Sequence, residues 1–230
     1  MSRVPVICVD GPSGSGKGTL SLQLARSLDW HLLDSGALYR VIGHACWSQG
    51  IDWQDEAAVV RMTRRLDVRF EPVGDGVAVW LEGQDVSREI RSERGSQGAS
   101  AVAALPGVRI ALLDRQRALA QVPGLVADGR DMGTVVFPDA PLKIFLTATA
   151  EARAHRRQAQ LMEKGESVSL PRLLDAINER DLRDSGRSVS PLVAAEDAVR
   201  IDSSELSADA VHERVLELAA ERGINARAPN

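Results

Sequence analysis

The sequence predicts a parallel α/β fold with a small β insertion. Three observations carry that expectation. Short apolar runs recur at 4–9, 125–127 and 142–146, the length of buried strands rather than of buried helices. Amphipathic helical stretches separate them, the alternation that builds a parallel sheet. Three strand ends carry an aspartate, at Asp10-Gly11, Asp34-Ser35 and Asp128-Gly129. Ligands of such sheets gather at the carboxyl ends of the strands.

Taken in order, the first strand, 4–9, runs into Gly11, Pro12, Ser13, Gly14, Ser15, Gly16 and Lys17. This is the phosphate-cradling pattern G-x-x-x-x-G-K between a strand and a helix. The glycines let successive N–H groups converge on one anion, the helix start adds its dipole, and Lys17 adds a point charge. Gly18 stands where the pattern has Ser or Thr, and Thr19 follows one place later. The helix after the loop extends to about Leu28, with Leu20, Leu24 and Leu28 on one face. A second strand, 30–33, ends in Asp34-Ser35-Gly36 and leads into a helix over 37–49 that stops at Gly50.

Residues 54–65 read as a further helix. Stretches 66–70 and 77–81 then alternate apolar and polar about the turn-rich EPVGDG, which reads as a β-hairpin inserted into the βα chain. Helical patterns cover 91–104, 107–121, 150–163, 169–183 and 207–222, and 198–201 supplies a fifth core strand. No internal repeat is present, and the tail 227–230 is expected to fray.

At 230 residues the chain suits a single domain, 1–230, with mobile flaps. A net charge of −4 argues against a general binder of nucleic acid or membrane surfaces. Cys8 and Cys46 form no CxxC pair and read as free thiols in a reducing cytosol, and the four histidines have no metal-ligand spacing. No apolar run reaches membrane-spanning length and no leader pattern opens the chain, so a cytoplasmic protein is expected. Only Lys17, Lys143 and Lys164 are lysines; every other cation is arginine. Lysine at the phosphate position is therefore a choice against the chain's habit.

Three further constellations suit phosphoryl chemistry. In DSGALYR, Ser35 is placed to cap the following helix, and Arg40 lies one turn on, suited to clamp an acceptor phosphate. In DGRDMGTVVFPDA, Asp128 is placed like an aspartate that holds Mg²⁺ through water, while neighbouring Arg130 and Asp131 diverge, one toward phosphate and one toward a base. In ERDLRDSGRS, Arg180, Arg183, Asp184 and Arg187 fall at one helical face; a solvated charged face is the bland alternative. Arg153, Arg156 and Arg157 lie on the helix after the fourth strand; Arg153 and Arg157, four apart on one face, could reach over a bound nucleotide.

These residues resemble the bacterial cytidylate kinases, a family of nucleoside monophosphate kinases. The likeness runs through GPSGSGKGT, DSGALYR, DGRDMGTVVFP and ERDLRDSGRSVSPL, in order and over nearly the whole chain. The G-K-G-T form at Gly16 to Thr19 is also that of monophosphate kinases. The resemblance implies a three-layer P-loop fold with a five-stranded parallel core sheet, a monophosphate-binding flap (36–104) enlarged by a hairpin insert (66–100), and a short lid (151–168). It implies transfer of a phosphoryl group from ATP to CMP or dCMP with Mg²⁺. No coiled-coil repeat or long apolar edge argues for assembly, so a monomer is expected. The loop residues 11–19, with Arg153 and Arg157, would hold ATP. Arg40, Arg130 and Arg180 would hold the acceptor phosphate. Ser35, Ser100, Arg109 and Asp131 would surround cytosine, and Asp184 and Arg187 would serve the sugar or the transferred group. Thr19, Asp34 and Asp128 would serve Mg²⁺. Lys17, Arg130, Arg180 and Arg187 would act in the transfer itself.

Two other readings use the same loop. One is another monophosphate or small-metabolite kinase, which a panel of acceptors separates. The other is a nucleotide-dependent switch; the absence of the guanine-reading N-K-x-D counts against a GTPase form.

Overall fold

The computed structural model describes residues 4–73, 76–163, 165–187 and 189–224. The tip of the predicted hairpin, Lys164, Ser188 and the tail 227–230 lie outside the described residues. The chain divides into two compact units, 1–33 with 119–230, and 34–118.

The first unit is built on a five-stranded sheet of order β2-β6-β1-β7-β8. Its strands are β1 (Val6–Asp10), β2 (His31–Asp34), β6 (Leu125–Gly129), β7 (Leu142–Thr147) and β8 (Val199–Asp202). All five lie within one or two residues of the stretches the pattern predicts. β1 is the central strand and is buried throughout, which explains its unbroken apolar run. It pairs in parallel with β6, Val9 beside Asp128, and with β7, Val9 beside Ile144. The helices α1 (Lys17–Leu28) and α8 (Ala208–Glu221) join the sheet in one apolar core. Leu20, Leu24, Leu28, Val215 and Leu218 pack with Ile7, Val9, Val126 and Ile144. Two more helices, α6 (Ala150–Glu163) and α7 (Leu170–Ser185), follow β7.

The second unit holds α2 (Ser35–Ser48), α3 (Glu56–Arg65), α4 (Glu93–Val102) and α5 (Pro106–Ala118). The expected hairpin is present as antiparallel β3 (Val68–Val73) and β4 (Gly76–Leu81), to which a two-residue strand β5 (Gln84–Asp85) adds. Neither β5 nor the 3-10 turn Glu89–Arg91 is visible in the pattern; both are too short to show a period.

Helices α2 and α4 carry Ser35, Arg40 and Ser100, so their packing sets part of the expected site. They touch backbone to backbone: a Cβ on Gly43 would lie 2.7 Å from the carbonyl carbon of Gly98. The Trp53 indole closes the crossing, donating to the Gly43 carbonyl at 2.8 Å and covering Gly98. Only glycine permits this approach. Gly43→Ala is expected to destabilise the protein by about 1–3 kcal/mol through overpacking, measured as a lowered urea midpoint; an unchanged midpoint would show that the helices part freely.

Candidate active site

The phosphate loop is determined by where its carbonyls go. Gly14 and Gly16 have φ of 81° and 96°, left-handed values that glycine adopts without strain. Turning amide N–H groups toward a common centre turns carbonyls outward, and each buried carbonyl needs a donor. The Pro12 carbonyl accepts from Ser15 Oγ at 3.1 Å and from Lys17 Nζ at 2.8 Å. The Ser13 carbonyl accepts from Arg153 Nη1 at 3.1 Å, and the Ser15 carbonyl from Ser203 Oγ at 3.0 Å. Arg156 in turn donates to the hydroxyl and the carbonyl of Ser203. Ser203, just after β8, and Arg156 on α6 thus serve the loop, a role no local pattern announces.

Arg153, expected over a nucleotide, is buried, and its stem lies on Gly14. Its guanidinium grips both oxygens of Asp181 on α7, at 3.0 and 2.5 Å, besides the Ser13 carbonyl. Arg157 is exposed on α6.

At the base of the loop stand the charges. Lys17 is buried. Burial, then Arg130 and Arg180, push its ammonium down to about 7, against the opposing pull of Asp128 and Asp10. Asp184, also buried, accepts from Arg130 Nε at 3.0 Å and pairs with Arg187. Burial alone would raise the Asp184 carboxyl; Arg130, Arg187 and Arg180 overcome it and hold it below the ordinary carboxylate range. Arg187 does so from beyond the helix, which ends at Ser185, so it does not share a helical face with Arg180 and Asp184 as the spacing suggested. The chain turns at Gly186 and the side chain folds back.

Asp128, the last residue but one of β6, has one carboxylate oxygen 3.6 Å from where a Cβ on Gly18 would stand. Thr19 is exposed at the start of α1. Among the described residues no three His, Cys, Asp or Glu side chains gather as a metal cage.

In the second unit, Asp34 rather than Ser35 caps α2, its carboxylate accepting from the Ala37 N–H at 2.9 Å. This corrects the capping role expected of Ser35, whose hydroxyl instead accepts from Gln116 Nε2 at 2.9 Å in a buried contact. Gln116, on α5, escaped the sequence reading. Ser100 is buried on α4. Arg109 is buried on α5, donates to the Ala103 carbonyl at 3.0 Å and lies 5.5 Å from the Tyr39 ring. Arg40 donates to the Ile90 carbonyl at 3.1 Å. The polar residues expected around a base, Ser35, Ser100, Arg109 and Asp131, are all buried.

A family model described as cytidylate kinase matches residues 7–221. A cytidylate kinase of Pseudomonas savastanoi pv. phaseolicola is 58% identical over 96% of this chain and 98% of that protein. One of Klebsiella pneumoniae is 55% identical over 96% and 97%. Among solved structures, an uncharacterized protein from Eubacterium ventriosum aligns over 95% of this chain and 99% of that one, with a TM-score of 0.51 at 11% identity, a likeness of fold alone.

Lys17 allows a direct check. Below pH 7 the free protein holds the ammonium charged; above it the proton is lost. A polyphosphate bound beside Lys17 would favour the charged form, so its binding above pH 7 would take up a proton. ADP affinity, measured calorimetrically without metal between pH 7.5 and 9, is expected to weaken with rising pH, toward about tenfold per unit. Affinity independent of pH, with no proton uptake in buffers of different ionisation heat, would refute it.

Proposed function

Because the chain belongs to the cytidylate kinase family, we propose that it transfers the γ-phosphoryl group of ATP to CMP or dCMP, giving ADP and CDP or dCDP. The observation that carries the reading is one arrangement within the first unit. A glycine-rich loop, its carbonyls tied back, carries buried Lys17 within reach of the charge of Arg130, which with Arg187 grips Asp184. Such a site has little covalent chemistry to perform. The acceptor phosphate is already anionic, so no general base is needed, and catalysis is positioning plus charge stabilisation.

On this reading residues 11–19 receive the ATP phosphates, with Arg153 and Arg157 on the donor side. Arg40, Arg130 and Arg180 hold the acceptor phosphate. Lys17, Arg130, Arg180 and Arg187 offset the charge that develops on the transferred group, and Asp184 orders two of those guanidiniums and serves the sugar. Asp128, Thr19 and Asp34 are the candidates to hold Mg²⁺ through water; Asp34 already spends one oxygen on its helix cap. The ion would supply charge neutralisation at the phosphates. A monomer in the cytoplasm is the setting we assign; among the described residues no helix is long and apolar enough to cross a membrane.

Base choice falls to Ser35, Ser100, Arg109 and Asp131. Cytosine presents an amine at N4 and acceptors at N3 and O2, which match a carboxylate and a guanidinium. Uracil sets its O4 against the carboxylate, a mismatch of roughly 1–3 kcal/mol by analogy with base readout.

Coupled ADP-release kinetics with CMP, dCMP, UMP and other acceptors test the whole reading: turnover should centre on CMP and dCMP, and no conversion of CMP would overturn it. Lys17→Ala should lose on the order of 10²-fold or more in kcat; near-normal turnover would remove Lys17 from the transfer. Asp131→Ala should narrow the CMP/UMP ratio in kcat/KM, and an unchanged ratio would remove Asp131 from base recognition.

A further inference from the structure

The segment that carries Arg130 and Asp131 does not hold itself. After β6 the chain makes a single π-helical turn, Met132–Val136, in which Val136 N–H reaches the Asp131 carbonyl at 3.2 Å and Phe137 N–H the Met132 carbonyl at 2.7 Å. The first N–H groups of such a turn have no partner within it. Asp10, at the end of β1, supplies both. Its Oδ1 accepts from Met132 N–H at 2.9 Å and its Oδ2 from Gly133 N–H at 2.8 Å. Asp10 is 5% exposed, so these bonds do not compete with water.

A second anchor comes from β7. The stem of buried Lys143 lies over Gly133: an added Cβ there would stand 3.0 Å from Lys143 Cδ, 3.2 Å from Cγ and 3.4 Å from Asp10 Oδ2. The Lys143 ammonium donates to the Pro138 carbonyl at 2.5 Å, just past the far end of the turn, and to Asp197 at 2.9 Å. The turn is therefore pinned at its start by a carboxylate and at its end by an ammonium, with Gly133 between them.

We infer that Asp10 and Lys143 are positioning residues for the acceptor nucleotide: by fixing the turn that follows Arg130 and Asp131, they set where the phosphate clamp and the base-reading carboxylate stand. Neither belongs to the set of side chains assigned to substrate. The inference rests on the proposed role of Asp131 as a reader of cytosine. It accounts for the chain's use of a lysine at 143 where arginine is its habit. A compact ammonium meets the Pro138 carbonyl and the Asp197 carboxylate together from one atom, which a planar guanidinium fork would reach with different geometry.

The test compares Asp10→Asn, Gly133→Ala and Asp131→Ala with the parent enzyme. Asparagine keeps the size of aspartate but sets an NH₂ group against one of the two amide donors. Alanine at 133 puts a methyl group between the two anchors without altering charge. For each variant kcat and KM are measured for CMP and UMP, with KM for ATP beside them. The expected result is a CMP/UMP ratio in kcat/KM that falls about fivefold or more in both anchor variants. The fall should be carried by a higher KM for CMP, with KM for ATP moved much less. If Asp131→Ala shifts the ratio while both anchor variants stay within about twofold of the parent, the anchors do not position the reader and the inference fails alone. If Asp131→Ala leaves the ratio unchanged, the reading of Asp131 fails and the inference with it. A rise in KM for ATP as large as that for CMP would also overturn it, because it would mark loss of the whole strand end. Should Asp10→Asn not fold, the Gly133→Ala ratio decides.

Discussion

A loop can aim its amides at an anion only if its carbonyls have somewhere else to go. That constraint organises the first unit. Lys17 and Ser15 take one outward carbonyl from within the loop, Arg153 on α6 takes a second, and Ser203 after β8 takes a third. The donors come from positions as far apart as Ser15 and Ser203, so long-range folding holds the loop. Rigidity of this kind is what electrostatic catalysis needs, since dipoles already oriented do not have to reorganise during the reaction.

The same burial loads the site with unsettled charge. Lys17 is pushed down to about 7 and Asp10 up to about 6, each mainly by loss of water; for Asp10 the Gly133 and Met132 amides pull the other way. Asp184 goes in the opposite direction, held ionised by three arginines. The cluster without nucleotide is thus a compromise in which one carboxylate occupies guanidiniums suited to phosphate. On the proposed reading, a polyanion arriving here would add to the counter-charge that Asp128 and Asp10 already offer Lys17.

Much of this was legible in the chain. The G-x-x-x-x-G-K pattern sat between an apolar run and a helix, the three aspartates lay at strand ends, and the five core strands followed from run length. What escaped is what depends on distance through the fold. Ser203 meets Ser15 across 188 positions, and Arg153 meets Ser13 across 140. Neither spacing leaves a local trace. Asp34 and Ser35 are adjacent and both good caps, so pattern alone could not choose; the structure gives the cap to the carboxylate and frees the hydroxyl for Gln116. Arg187 had the spacing of a helical face, but the helix stops before it, and only the folded-back turn shows how it reaches Asp184. The π-helical turn after Asp131 bonds five residues along, a period that neither helix nor strand patterns detect.

The two cysteines have a practical corollary. Both are free and fully buried, Cys8 in the central strand and Cys46 in α2. Loss of water, and for Cys8 also the Asp10 charge, raises both thiols, that of Cys46 to about 11. Since the thiolate is the nucleophile, neither competes for an alkylating reagent at neutral pH. A cysteine introduced on the exposed surface, at Ile110 for instance, would take up a fluorophore or spin label singly, without first stripping the native sulfurs from the core.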